Sequence, residues 1–293
     1  MTRRVELLVV GMGYCGGALA EQALQAQHSV WGVRRGATFP RGVRGLSLDL
    51  GGPEADLSPL PSKPDCVVYA VGADAHDSAS YERAYVTGLQ RVIGHYRAAC
   101  QAGQTRLLFT SSTAVYAESA GWLDESSPAN ADTFSAQVLR RAELMTQEVG
   151  GSVLRLGGIY GPDRASLIGR IQRGEISAES APTRFTNRIH RDDVAGALLH
   201  LCELPRVQPL YVGVDEDPAP LADVVRWLET QLSMRGQLRA EPTAPPVAAS
   251  RARRVASKRC SSQLLRAEGY SFRFPTFREG YAALLPSSST DGA

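Results

Sequence analysis

The sequence predicts an α/β fold: a doubly wound parallel sheet followed by a smaller α/β lobe. Two observations carry this. Short apolar runs rich in β-branched residues alternate with segments of helical period through the first half of the chain, the pattern of a parallel sheet covered by helices on both faces. The first run, Val5 to Val10, also ends at once in Gly11, Gly13 and Gly16, spaced G-x-G-x-x-G, before a helical pattern opens.

Taken in order, Val5 to Val10 reads as a strand buried on both faces. Ala18, Leu19, Ala23 and Leu24 repeat at helical spacing behind the glycines. His28 to Val33 is the expected second strand, Gly45 to Leu50 a short third, and Pro53 to Pro64 a proline-rich connection. Asp65 to Val71 is a fourth buried strand that ends in Gly72. Ser80 to Cys100 predicts one long helix, with Tyr81, Tyr85, Leu89, Val92 and Tyr96 on related turns. Thr105 to Thr110 is a fifth strand and Ser111 to Pro128 an irregular loop. Asp132 or Thr133 can cap a helix running to about Val149, before a sixth strand from Gly151 to Leu156. Right-handed crossovers put the C-terminal ends of these strands on one edge, where ligands bind.

After Gly161 and Pro162 the pattern loosens. Helices are expected over Ala165 to Arg173, Asp192 to Leu204 and Leu221 to Leu232, with a strand over Leu210 to Val214 and a last short helix over Cys260 to Glu268. Pro242 to Ser257 is low in order signals. The reading is a sheet domain over residues 1–160, to which about 187–214 returns, a substrate lobe over 161–285, and a disordered tail, 286–293. There are no internal repeats.

A formal net charge of +2 gives no large electrostatic drive toward nucleic acid or membrane. The cluster Arg251, Arg253, Arg254, Lys258 and Arg259 reads as a solvated loop or as a phosphate or partner contact. No apolar run approaches the ~20 residues of a membrane span, and the N-terminus lacks a signal-peptide layout. The five cysteines, Cys15, Cys66, Cys100, Cys202 and Cys260, form no C-x-x-C pair, which suggests reduced thiols in a cytoplasmic protein. Neither they nor the histidines have metal-ligand spacing, so no metal is expected. The expected partner is a small molecule.

A strand, a glycine turn and a helix together form the context of a dinucleotide-binding fingerprint, although a purely structural strand–turn–helix has the same outline. Gly11 allows the tight turn, Gly13 lets a pyrophosphate approach the backbone, and Gly16 lets helix and strand pack closely. The phosphates would meet N–H groups at the helix start, around Tyr14 and Cys15. Cys15 is either a small filler or a thiol whose pKa the helix N-terminus lowers. Ala70, Val71 and Gly72, at the end of the fourth strand, belong to the same expected site. An acid about twenty residues beyond the glycines would bind a ribose 2′-OH and select NAD. That place holds Val33, Arg34 and Arg35. The two guanidinium groups suit a 2′-phosphate, so NADP is expected over NAD; solvated surface arginines are the other reading. Asp49 either contacts the adenine amino group or caps a turn.

The chain resembles the extended short-chain dehydrogenase/reductases, the NAD(P)-dependent epimerase/dehydratase group. The resemblance covers roughly residues 5–282. It rests on the glycine turn, FTSSTAVYA (Phe109 to Ala117), DESSP (Asp124 to Pro128), RLGGIYGP (Arg155 to Pro162), NRIHRDDVAGAL (Asn187 to Leu198) and YVGVDEDPAP (Tyr211 to Pro220). It implies a Rossmann domain with a smaller substrate lobe. It places Ser112 at the family's catalytic Ser/Thr, Ile159, Tyr160, Gly161 and Pro162 in the loop beside the nicotinamide ring or in a turn that merely starts the lobe, and His190 and Asp193 near the substrate mouth or as a pair fixing lobe to sheet. The long helices around Tyr81 to Cys100 and Phe134 to Val149 are those the family often pairs in dimers, so a homodimer is one option, and the sequence does not fix the oligomeric state.

Three departures stand out. The family's Y-x-x-x-K is absent: Ser135 falls at the Tyr position and Leu139 at the Lys position. Tyr85 replaces the family's asparagine. The turn is G-x-G-x-x-G rather than G-x-x-G-x-x-G. Besides Ser112 and Thr113, Tyr116 is a candidate acid, provided its pKa is lowered; alternatively these hydroxyls only satisfy loop backbone. The expected function is that of an NADP-binding epimerase, dehydratase or reductase acting on a small polar or nucleotide-sugar-like substrate. The other expectation is a non-catalytic NADP-binding sensor or scaffold.

Overall fold

In the computed structural model, residues 4–52, 55–130, 132–238 and 257–285 are described. Residues 242–256 of the expected irregular segment, with Arg251, Arg253 and Arg254, and the tail 286–293 lie outside them.

The first half alternates as expected: β1 (Glu6–Val10), α1 (Tyr14–Gln25), β2 (Ser29–Arg34), β3 (Arg44–Ser47) and β4 (Cys66–Tyr69). One long helical stretch follows, made of α2 (Ser78–Tyr81), a π-helical turn (Glu82–Thr87) and α3 (Gly88–Gln101). Then come β5 (Arg106–Ser112), β6 (Trp122–Leu123), α4 (Phe134–Glu148) and β7 (Ser152–Leu156). Thr133 is the cap of α4, its hydroxyl accepting from the Ala136 amide at 3.3 Å.

The second half holds β8 (Gly158–Tyr160), α5 (Ser166–Gln172), β9 (Phe185–Thr186), β10 (Arg188–His190), α6 (Arg191–Glu203) and β11 (Leu210–Gly213). After these come β12 (Ala219–Pro220), α7 (Leu221–Met234), β13 (Arg259–Cys260), α8 (Gln263–Ala267) and α9 (Phe277–Ala282). The expected last helix shortens to α8, and α9 is an addition.

Seven strands form one parallel sheet in the order β11-β7-β5-β4-β1-β2-β3. The chain winds from β1 outward to β3, then returns to β4 on the other side of β1, so the switch point lies between β1 and β4. One sheet face packs on α1 and α6 through Leu19, Ala23, Leu198 and Leu201. The other packs on α3 and α4 through Leu89, Val92, Leu139 and Ala142. A further cluster joins α5, α7 and α9 through Ile168, Ile171, Val225, Leu228 and Phe277. The third strand stops at Ser47 rather than Leu50. Beyond it the Leu48 amide still bonds the Arg34 carbonyl at 2.9 Å, and Asp49 turns the chain by accepting from the Gly51 amide at 3.0 Å.

The π turn meets a side chain from the sheet. Tyr69, fully buried at the end of β4, donates its hydroxyl to the Ala84 carbonyl inside the turn. Gly88 lets the phenol in, since a Cβ there would lie 2.5 Å from the Tyr69 hydroxyl.

Candidate nucleotide site and active-site region

A cleft of about 300 Å³ opens at the switch point, over the C-terminal ends of β1, β2 and β4. Gly11, Gly13, Arg34, Arg35, Asp49, Ala70, Val71 and Gly72 all line it. The glycines differ in what they allow. Gly11 has φ +99°, and a Cβ on it would lie 2.6 Å from the Ala70 carbonyl carbon. Gly16 lies so close under the turn that a Cβ would fall 2.2 Å from the Gly11 oxygen. Gly13 precedes α1, and a Cβ there would meet nothing within 4 Å. That leaves open space beside the first unpaired N–H groups of a 12-residue helix, which fits an anionic diphosphate.

The side chains of the remaining residues expected to bind the cofactor do not line the cleft. Tyr14 leans away from the cleft: its hydroxyl donates to the Pro162 carbonyl at 2.7 Å, and Arg164 and Arg191 lie over its ring. Cys15 is half-buried, and burial pushes its thiol up to about 11, which makes it a filler rather than a reactive thiolate. Ile159 packs against the α1–α6 core. Tyr160 is buried and stacks on Tyr281 with ring centroids 4.5 Å apart, so its side chain faces the lobe rather than the cleft. The sequence reading missed Asp74, Ser80 and Arg83, which also line the cleft.

On the same sheet edge, Ser112 ends β5. It is half-buried, and its Oγ accepts from the Ala114 amide at 3.1 Å. Tyr116 does not meet the condition set for an acid. It is 1% exposed, its hydroxyl donates to the Asp124 carbonyl at 2.6 Å, and desolvation pushes its pKa up to about 12 despite Arg155 lying over the ring. Ser135 is buried, with its Oγ 3.3 Å from the capping Thr133 hydroxyl. Leu139 is part of the core against α3 and the sheet. Neither supplies the proton chemistry of a Tyr–Lys pair. Tyr85 joins Tyr81, His76 and Phe134 in an aromatic group near the start of α4.

A buried ion pair braces this region. Glu143 and Arg155 bond each other at 2.7 and 2.8 Å, and Ser111 donates to Glu143 at 2.7 Å. His190 and Asp193 are not bonded to each other. His190 caps α6, accepting from the Asp192 amide at Nδ1. Asp193 accepts from the Tyr270 hydroxyl and from the Arg273 and Phe274 amides. Asp193 therefore ties α6 to the 270–274 segment, whereas the His190 hydrogen bond stays within the cap of its own helix. Of the basic cluster, Lys258 bonds the Tyr116 carbonyl at 2.9 Å, and Arg259 lies over Trp122 and Phe185. Cys66 and Cys202 are both buried, with sulfurs 2.9 Å apart. Among the described residues no helix is long and apolar enough to cross a membrane.

The chain is 28% identical over 218 residues to Protein YeeZ of Escherichia coli (strain K12), covering 70% of this chain and 76% of that one. It is 29% identical over 246 residues to a 3-diazoavenalumate denitrifying reductase of Streptomyces sp, covering 76% and 79%. The solved structure of a putative NAD-dependent epimerase/dehydratase from Methylobacillus flagellatus superimposes with a TM-score of 0.76 at 32% identity, over 96% of this chain and 98% of that one. The model of the NAD dependent epimerase/dehydratase family matches residues 7–209, and the chain belongs to that family, an extended branch of the short-chain dehydrogenase/reductase superfamily.

Proposed function

We propose that this protein binds NADP in the switch-point cleft and acts as a reductase or epimerase/dehydratase-like enzyme on a small polar substrate. The nucleotide-sugar class is the one the family resemblance suggests. The observation that carries the reading is the cleft itself: the open backbone at Gly13 faces Arg34 and Arg35 across one cavity, with no acid on β2 to receive a ribose 2′-OH. When bound, the nicotinamide supplies hydride transfer. Gly11, Gly13 and the start of α1 hold the phosphates, Arg34 and Arg35 meet the 2′-phosphate, and Asp49 borders the adenine side. Ser112, on the same edge, orients the substrate oxygen by a hydrogen bond.

The buried Ser135, the core Leu139 and the engaged hydroxyl of Tyr116 favour a second reading, in which the protein binds NADP as a sensor and performs no chemistry. A thermal-shift series with NADP, NADPH, NAD and NADH, followed by nicotinamide absorbance over a substrate panel, separates the two. The expected result is the largest stabilisation with the phosphorylated forms and turnover that falls about a hundredfold in Ser112→Ala. Nucleotide binding without turnover on any panel member supports the sensor. Turnover unchanged in Ser112→Ala removes that residue from the mechanism.

A further inference from the structure

The mouth of the cleft carries a charge group that joins three separate elements. Arg35, just beyond β2, makes two 2.6 Å hydrogen bonds to the carboxylate of Asp74, beyond β4. Arg83, on the π turn, donates to the same carboxylate at 3.2 Å. All three side chains line the cleft and remain about half exposed. Exposed ion pairs contribute little to stability, so folding alone does not account for two guanidinium groups converging on one acid.

The position of Arg83 is built by its surroundings. The π turn that Tyr69 and Gly88 accommodate carries it to the cleft. Gly51 then leaves room for its stem, since a Cβ there would lie 2.4 Å from the Arg83 Cγ. The turn at Asp49 fixes Gly51 in that place.

We propose that Arg83 is a specificity-determining residue of the nucleotide site, binding the 2′-phosphate of NADP together with Arg35, and that Asp74 is the counterion that keeps both guanidinium groups at the cleft mouth until the phosphate replaces it as their acceptor. This rests on the NADP reading above. Two arginines and one carboxylate leave a net positive charge. A phosphate monoester of charge near −2, with three acceptor oxygens, matches two forked donors better than one carboxylate does. A ribose hydroxyl offers no such charge.

The test is the affinity for NADPH and for NADH, read by nicotinamide fluorescence, in wild type, Arg83→Gln, Gly51→Ala and Asp74→Asn. Circular dichroism melts serve as the folding control. The expected result is a wild type that prefers NADPH, with both Arg83→Gln and Gly51→Ala losing about tenfold in NADPH affinity and nothing for NADH. If wild type prefers NADPH and Arg83→Gln binds it equally well, the assignment of Arg83 fails while the NADP reading stands. Equal losses for both nucleotides also overturn the assignment, because Arg83 would then be contacting a part they share. A wild type that binds NADH at least as tightly overturns the NADP reading and the proposal with it. In that case a loss of NADH affinity in Asp74→Asn would mark Asp74 as the acceptor for the ribose hydroxyls.

Discussion

His190 shows how one side chain can be legible in sequence and still be assigned the wrong partner. RIHRDDVA marks it as notable, and the pattern alone invites a pairing with Asp193. The fold instead turns the imidazole to cap α6 and packs it against Phe274, with ring centroids 4.1 Å apart. It is 2% exposed, and burial lowers its pKa from 6.5 to about 4, against the pull of Asp192 and with the push of Arg191 and Arg273. Above pH 6.5 the ring is neutral in both states and contributes nothing. Below it the unfolded chain takes up a proton that the folded chain refuses, so stability falls as the pH drops toward 4. At pH 5 the loss is about 2 kcal/mol, or roughly 4 °C in melting temperature for a chain of this size. His190→Asn keeps a capping acceptor and removes the titration. Its melting temperature is expected to fall less than that of wild type between pH 7 and pH 5. Parallel falls in the two proteins would show that His190 does not carry the dependence.

At the scale of elements, the parallel sheet and its long helices follow from local signals, and the π turn does not. Strands buried on both faces must be continuous apolar runs, and Leu7 to Val10 and Cys66 to Tyr69 are each fully buried. The helix over 78–101 shows its periodicity in Leu89, Val92 and Tyr96. One wider turn, however, rotates everything before it by roughly 100° relative to that stripe, and no residue spacing reveals it. What it meets is a phenol from a neighbouring strand, which is a tertiary contact. Arg83 and its place in the cleft were hidden for the same reason. The contact makes a double-mutant prediction. Gly88→Ala drives a methyl against the Tyr69 hydroxyl and costs about 1–3 kcal/mol. Tyr69→Phe strands the Ala84 carbonyl and costs about 1–3 kcal/mol. The double variant lacks the oxygen that the added methyl would strike, so it is expected to be more stable than the sum of the singles predicts. Urea melts of the four proteins check this, and strict additivity would show that the Gly88 position and the Tyr69 hydroxyl are not in contact.

For the whole molecule, the lobe was harder to read than the sheet because its elements are short and its packing is non-local. The helix α9 has 6 residues, too few to show a period, although Thr276 and Glu279 form a capping box that marks its start. Likewise, nothing in Tyr14 alone indicates that it would leave the glycine turn to reach Pro162. That hydrogen bond nonetheless joins the two halves of the chain. The phenol ends 2.8 Å from where a Cβ on Gly161 would sit, and His190 Nε2 is 3.3 Å from the same point. Gly161, at φ +152°, lets β8, Tyr14 and the start of α6 meet. A nucleotide that orders the turn at 11–17 should therefore also order the loop at 157–164. Hydrogen exchange followed by mass spectrometry is expected to slow in both segments when NADPH is added. In Tyr14→Ala the first protection should persist and the second should vanish, because the ring and hydroxyl that connect them are gone while the backbone that meets the phosphates is unchanged. If the loop at 157–164 stays protected in that variant, the coupling runs through the ligand itself rather than through Tyr14.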